Sequence, residues 1–289
     1  MLALAETMED WMPGAYPRAA KVIRGCSRRK TGFSNSEVQV LWMHGFEASN
    51  SKGSLWSDGV KLYSYYTPIA VKCRNAVLVN THFYSPTTCH HRPWVRYAVE
   101  VDFEILRRWV AYKDLEELYV LDVDDDAVLL FKDSGDNHYI LMLRDEGREY
   151  GVKLPTPCRT VSKAKEMLLP REALAAVKEG RRVSRQGEWY FIAFPEMRFP
   201  REAVEHLLRD RRWRDKHLRS HIPRDKVAWC FSVEEARCSR YFQDSTVYVF
   251  VRGTVRHARG DHRMLRLGET WHLAVRSPLR GVTATRGLD

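Results

Sequence analysis

A chain of 289 residues with 44% hydrophobic and 11% aromatic content has enough apolar material for one large core or two ordinary ones, which excludes a disordered polypeptide. Its net charge of +10 points to a polyanionic partner, most often nucleic acid, although charge alone equally describes a generic basic surface. The six cysteines are scattered without a C-x-x-C pair, as in a reduced cytoplasmic chain.

Residues 1–36 read as a basic, irregular N-terminal arm, with Arg24, Arg28, Arg29 and Lys30 as its basic patch. Acidic Glu6, Glu9 and Asp10 argue against a signal peptide, and no apolar run reaches the roughly 18 residues of a membrane span. The expected location is the cytoplasm, that of the host if the chain is viral, with no membrane partner.

The apolar run Val38 to Trp42 reads as a strand, and His44 to Gly59, rich in Ser, Asn and Gly, as a loop. Val60 to Tyr66, Ile69 to Cys73 and Ala76 to Tyr84 read as strands. Strand alternation through the first of these puts Tyr63 and Tyr65 on one face, with Ser64 and Tyr66 on the other. Ser85-Pro86-Thr87-Thr88 carries a helix-start signature, since a hydroxyl side chain can accept from the free amides of a first turn. The spacing of Phe103, Leu106, Val110, Leu115 and Leu118 predicts one amphipathic helix over Val101 to Tyr119. Tyr119 to Phe131 and Tyr139 to Leu143 read as paired strands.

Lys153 to Pro157 reads as a linker. Ser162 to Lys178 and Arg201 to Leu218 read as helices. Glu188 to Phe194, Val227 to Phe231, Thr246 to Arg252, Met264 to Leu267 and Trp271 to Val275 read as strands. The expected fold is α+β, with two small β-rich units over residues 37–150 and 151–276, each an antiparallel sheet with packed helices. A mobile tail is expected over residues 277–289.

Several short motifs add up to a family mark. In the first half they are Ala48-Ser49-Asn50-Ser51, Gly53, Leu62-Tyr63-Ser64-Tyr65, Thr67-Pro68-Ile69-Ala70, Val79-Asn80-Thr81, Tyr84-Ser85-Pro86-Thr87-Thr88 and His91. In the second half they are Arg185 to Phe191, Val251 to His257, His262, Leu267 and Trp271-His272. Together, over about a third of the chain, these resemble an uncharacterised protein family that recurs in bacterial and archaeal viruses and mobile elements. The resemblance implies a mobile-element origin and an α+β fold, and it brings no established activity. The usual form of one motif is Ser-Tyr-Gly-Thr, and here Tyr66 stands where the glycine is expected.

The first candidate site is the hydroxyl, imidazole and guanidinium cluster of Ser64, Thr67, Ser85, Thr87, Thr88, His90, His91, Arg92 and Arg96. Such groups bind phosphate, while Tyr63, Tyr65, Tyr66 and Phe83 offer faces on which bases stack. A capped helix over an aromatic core explains the same residues without a ligand. The second candidate is the run Arg209 to Lys226, with eight Lys/Arg against three Asp, including Arg209, Arg211, Arg212, Trp213 and Arg214. It would neutralise phosphates, unless its charges serve local ion pairs on a solvated helix. Arg252 and Arg256 add to it.

His257, His262 and His272, spaced H-x4-H-x9-H, form a candidate set of metal ligands; otherwise they are strand-edge histidines beside Arg252, Arg256 and Arg263. Asp122 and Asp124, within the run Asp122 to Asp126, could present two carboxylates from one strand face to a metal, or simply charge a hairpin edge. Cys89 beside His90 and His91 is a weaker match to a thiol nucleophile, because catalytic partners are usually remote in sequence. The chain has no Walker loop, G-x-G-x-x-G, G-x-S-x-G or H-E-x-x-H.

The leading expectation is a non-enzymatic nucleic-acid-binding accessory protein that needs no cofactor. One alternative is a metal-dependent, nuclease- or hydrolase-like enzyme using a divalent metal at His257/His262/His272 or Asp122/Asp124. Another is a structural or host-protein interaction module, with a protein partner or self-association.

Overall fold

A computed structural model describes residues 29–93, 95–133, 138–145, 148–199, 221–229, 248–257, 263–279 and 282–283. The chain divides into two compact units, one running to Ala164 and taking in residues 281–289, the other covering Lys165–Arg280.

The first unit opens on helix α1 (Asn35–Met43), where the apolar run had suggested a strand. Ser34 and Glu37 decide the matter. The Glu37 amide donates to Ser34 Oγ at 3.3 Å, and the Ser34 amide donates to a Glu37 carboxylate oxygen at 2.7 Å. This reciprocal cap satisfies two amides that a helix start otherwise leaves open.

Six strands follow in sheet order: β1 (Glu47–Ser49), β2 (Leu55–Asp58), β3 (Lys61–Ser64), β4 (Thr67–Lys72), β5 (Val77–Asn80) and β6 (Val99–Val101). The first five form an antiparallel meander, whereas β6 lies parallel to β5. A parallel neighbour requires a crossover, and helix α2 (Pro86–His91) lies within that connection. The sheet is therefore mixed, which the expectation of purely antiparallel units missed.

The predicted long helix over Val101 to Tyr119 is interrupted. Asp102 caps a short helix α3 (Phe103–Leu106), and a 3₁₀ turn spans Tyr112–Glu117. The apolar spacing is real all the same, since Phe103, Ile105, Leu106, Val110, Leu115 and Leu118 are all buried. They join Leu78 and Val101 of the first sheet to Leu130, Ile140 and Met142 of a second sheet in one core. That second sheet contains β7 (Leu118–Val123), β8 (Ala127–Lys132), β9 (His138–Asp145) and β10 (Arg148–Leu154). A short strand, here β16 (Val282–Thr283), completes it in the order β16-β10-β9-β8-β7. The first unit thus carries two sheets rather than the expected one. β10 runs through the expected boundary at residues 150/151, and β16 falls within the expected mobile tail. At Gly151, a Cβ would stand 2.6 Å from the Trp109 ring, so the close approach of β10 to the segment after α3 depends on glycine.

In the second unit, helix α4 (Val161–Leu168) straddles the division, followed by α5 (Arg171–Lys178). The sheet order is β11 (Val183–Gln186), β12 (Trp189–Phe194), β15 (Leu265–Arg276), β14 (Tyr248–His257) and β13 (His221–Trp229), antiparallel throughout. Both faces are apolar. Tyr190, Ile192, Phe250 and Leu273 pack with Ala173 and Ala176 of α5, while Trp189, Phe191, Val251 and Ala274 form a separate cluster. Pro223 and its bulge fit an edge strand, where a missing N–H costs no ladder bond.

Three described turns of two residues open on a positive φ: Gly59 (φ 91), Tyr65 (φ 54) and Gly187 (φ 59). At Gly59 a Cβ would meet the Gly45 carbonyl oxygen at 2.7 Å, so glycine is required twice over. Tyr65 adopts the same half of backbone space with a full side chain, at a cost of about 1–2 kcal/mol. The expected strand alternation through Tyr66 therefore stops at Ser64, and Tyr65 and Tyr66 form the tip of the β3–β4 hairpin.

Candidate functional site

The end of the first sheet that carries this tip also carries most of the first candidate cluster. Ser64 closes β3, Thr67 opens β4, and Asn80 closes β5 and donates to the Pro68 carbonyl at 3.1 Å. Helix α2 lies against Ser64. Ser64 Oγ is 2.8 Å from His91 Nδ1 and 3.5 Å from Thr88 Oγ1. Ser85 Oγ accepts from the Thr88 amide at 3.1 Å and lies 3.0 Å from Thr88 Oγ1, as its helix-start signature predicted.

This chain of hydroxyls faces inward. Ser64, Thr88 and His91 are buried, and they hold the helix to the sheet. Burial, and then the charge of neighbouring His90, push the His91 imidazole below its ordinary value, so it sits neutral among the hydroxyls at neutral pH. Arg92 is likewise engaged, donating from Nη2 to the carbonyls of Thr81 and His82 at 2.8 and 2.6 Å.

The outward surface here is made of other residues. Tyr66 is 95% exposed, Phe83 66% and Tyr65 52%. The Tyr65 ring centroid lies 6.3 Å from that of His91, which brings the hairpin tip against α2. Thr87 and His90 are on the exposed side of the same helix. Arg96 is exposed with its guanidinium 5.3 Å from the Tyr97 ring centroid, and Thr67 is half-buried. The adjoining turn, with exposed Lys52, is tied to the tip by the Tyr65 amide, which donates to the Ser54 carbonyl at 2.8 Å. Trp56 Nε1 donates to the Tyr65 carbonyl at 2.6 Å, and the Trp56 ring stacks on Tyr63 at 4.1 Å.

A second polar group nearby gave no sequence signal. Tyr84 and Tyr112 both donate to Glu104, the former at 2.7 Å, and His82 Nδ1 lies 3.0 Å from Asp102. Burial raises the Tyr84 phenol, reinforced by its bonds to Tyr112 and Glu104. Burial opposes the charge of Glu104, yet the hydrogen bonds from Tyr112 and Tyr84 and the Arg107 charge hold its carboxyl below the usual value. This belt anchors the segment before α2 to α3.

The acidic run separates into distinct roles. A carboxylate oxygen of Asp122 accepts from the Val161 amide at 2.7 Å, at the start of α4, and the Asp126 amide donates to Asp124 Oδ1 at 3.1 Å within the β7–β8 turn. A bulge between Val120 and Asp122 interrupts the regular alternation that pairing Asp122 with Asp124 had assumed. Asp124, Asp125 and Asp126 instead line a cleft of about 360 Å³ together with Val99, Val128 and Met142. Arg144, also in its lining, bridges Glu149 at 2.8 Å and Glu100 at 3.4 Å. Among the described residues, no group of three or more His, Cys, Asp or Glu is arranged to hold a metal ion.

The histidine set does not converge as proposed. His272 pairs with Val251 across β14, and His257 lies six positions further along that strand. Six positions at about 3.3 Å each separate them by roughly 20 Å, whereas zinc needs nitrogen ligands at about 2 Å. His272 is also buried, with Nδ1 donating to the Thr270 carbonyl at 2.8 Å, and burial lowers its pKa. His262 lies outside the described residues, as do Arg209, Arg211, Arg212, Trp213 and Arg214. Arg252 is half-buried with its guanidinium 4.6 Å from the Trp271 ring centroid, and Arg256 is exposed.

Residues 36–101 match a family of unknown function (DUF8033). That span runs from α1 to β6 and contains all the first-half motifs of the resemblance, while the second-half motifs fall outside it. No curated protein and no solved structure matches the chain.

Proposed function

We propose that the protein is a non-enzymatic nucleic-acid-binding accessory protein of a virus or mobile element, acting in the host cytoplasm, with the hairpin end of its first sheet as a contact surface. The observation that carries this reading is the exposure of Tyr65, Tyr66 and Phe83, with exposed Lys52 on the turn tied to the hairpin tip and exposed Thr87 and His90 on α2. Aromatic faces with a cation and hydroxyls nearby suit a ligand that offers bases and phosphates together. The net charge of +10 favours approach of a polyanion. Arg252 and Arg256, with the run Arg209 to Arg214, are assigned a supporting phosphate-binding role. Among the described residues no helix is long and apolar enough to cross a membrane.

The reading calls for no cofactor. Its test is fluorescence anisotropy of the full chain with labelled single- and double-stranded DNA and RNA over a salt series. Binding should weaken linearly on a log–log plot, with a slope of roughly −0.7 to −0.9 for each phosphate neutralised. Absence of binding at low salt would refute it, and salt-insensitive capture of a protein would favour the interaction-module alternative.

A further inference from the structure

Building on the nucleic-acid reading, we infer that the ligand is single-stranded, with unpaired bases stacking on the tip residues Tyr65 and Tyr66. The argument starts from what the fold does not need. A two-residue hairpin whose first residue has positive φ is served by glycine, as Gly59 and Gly187 serve it elsewhere in the chain. Tyr65 takes a positive φ of 54 against its own sterics, and the residue remains 52% exposed. Tyr66 follows at 95% exposure, so neither ring is present to fill a core.

The tip is nevertheless held firmly. The Tyr65 amide and carbonyl are both bonded, to Ser54 and Trp56, and Trp56 is stacked on Tyr63. A strained, buttressed backbone presenting two exposed phenol rings is pre-organised for flat π-faced groups. Base faces are covered by their neighbours in a duplex and open in a single strand. Stacking is therefore selective for unpaired nucleic acid and tolerant of its sequence. Exposed Lys52 lies on the turn that the Tyr65 amide ties to the tip, where its charge is available to a phosphate, and exposed His90 lies on α2. The net charge of +10 adds attraction for a polyanion to a surface suited to stacking, so the nucleic acid is favoured.

The test compares the full chain with its Tyr66→Ser and Phe83→Ala variants against labelled oligothymidine, oligouridine and a blunt duplex. At 95% exposure, replacing Tyr66 leaves the fold intact, and circular dichroism verifies this. The expected result is tighter binding of the single strands than of the duplex, with Tyr66→Ser weakening the single strands about tenfold and the duplex little. Lys52→Gln should lower the salt slope by roughly 0.7. Equal or tighter duplex binding, or a Tyr66→Ser protein with undiminished single-strand affinity, overturns the inference while leaving the nucleic-acid reading standing. No binding of any nucleic acid removes both, and a salt-insensitive protein partner lost with Tyr66 would assign the tip to protein contact.

Discussion

The turn at Tyr65–Tyr66 in the first unit and the turn at Gly187–Glu188 in the second close hairpins of the same length, between Ser64 and Thr67 and between Gln186 and Trp189. Their first residues share nearly the same φ, 54 against 59. The second unit uses the residue that the backbone prefers, and the first uses one that it resists. Where local chemistry and local sterics agree, a turn is explained by folding alone. Where they disagree and the side chain stays in solvent, the residue has to be explained by something outside the fold. That disagreement adds to the exposed aromatic grouping as a ground for proposing a contact surface at the first turn.

Substitutions at the related turns break this comparison in graded ways. Gly59→Ala should cost most, roughly 3 kcal/mol or more, because the new Cβ meets both an unfavourable φ and the Gly45 carbonyl oxygen. Chemical denaturation will show it as a lower midpoint with little change in slope. Ser64→Ala, next to the tip, should cost about 1–3 kcal/mol by leaving buried His91 Nδ1 without its partner. A melt unaffected by this change would mean that the hydroxyl cluster does not fasten α2. Gly187→Ala should cost about 1 kcal/mol through the positive φ of that position. If it cost as much as Gly59→Ala, the positive φ that the two turns share, rather than the crowding against Gly45, would govern both.

A smaller effect concerns pH. His91 and His272 are buried, one in each unit, and both have folded pKa values below the ordinary 6.5. Above that value both states hold neutral rings and the full stability is present. As pH falls through 6.5 the unfolded chain takes up protons first, and stability declines until the lower folded pKa is passed. Melting temperature should therefore drop as pH falls below 6.5, and the drop should shrink in His91→Gln. A profile unchanged by that substitution would assign the acid sensitivity elsewhere.

Much of the first sheet was legible because its signals are local. The strands around Ile69 and Val79 and the Ser85 cap are written in consecutive residues. Helix α1 was hidden because Val38, Val40, Leu41, Trp42 and Met43 are buried nearly all round, so no apolar stripe marks a helical period. Its Ser34-x-x-Glu37 cap was the signal that could have revealed it. The site was legible only as a neighbourhood. Sequence brought Ser64, Thr88, His91 and Arg92 together, but it could not show that they face inward and that Tyr66 and Phe83 face outward. Strand alternation also misplaced Tyr65, since a turn of two residues gives no warning when neither residue is glycine or asparagine.

Tyr65→Gly tests the central claim most directly, because one protein reports on both of its halves. Its thermal stability and its affinity for oligothymidine should be measured side by side. Relief of the strained φ should raise stability by about 1 kcal/mol, while loss of the ring should weaken single-strand binding by about tenfold. A variant that is less stable, or one that binds single strands as tightly as the parent, would contradict the account.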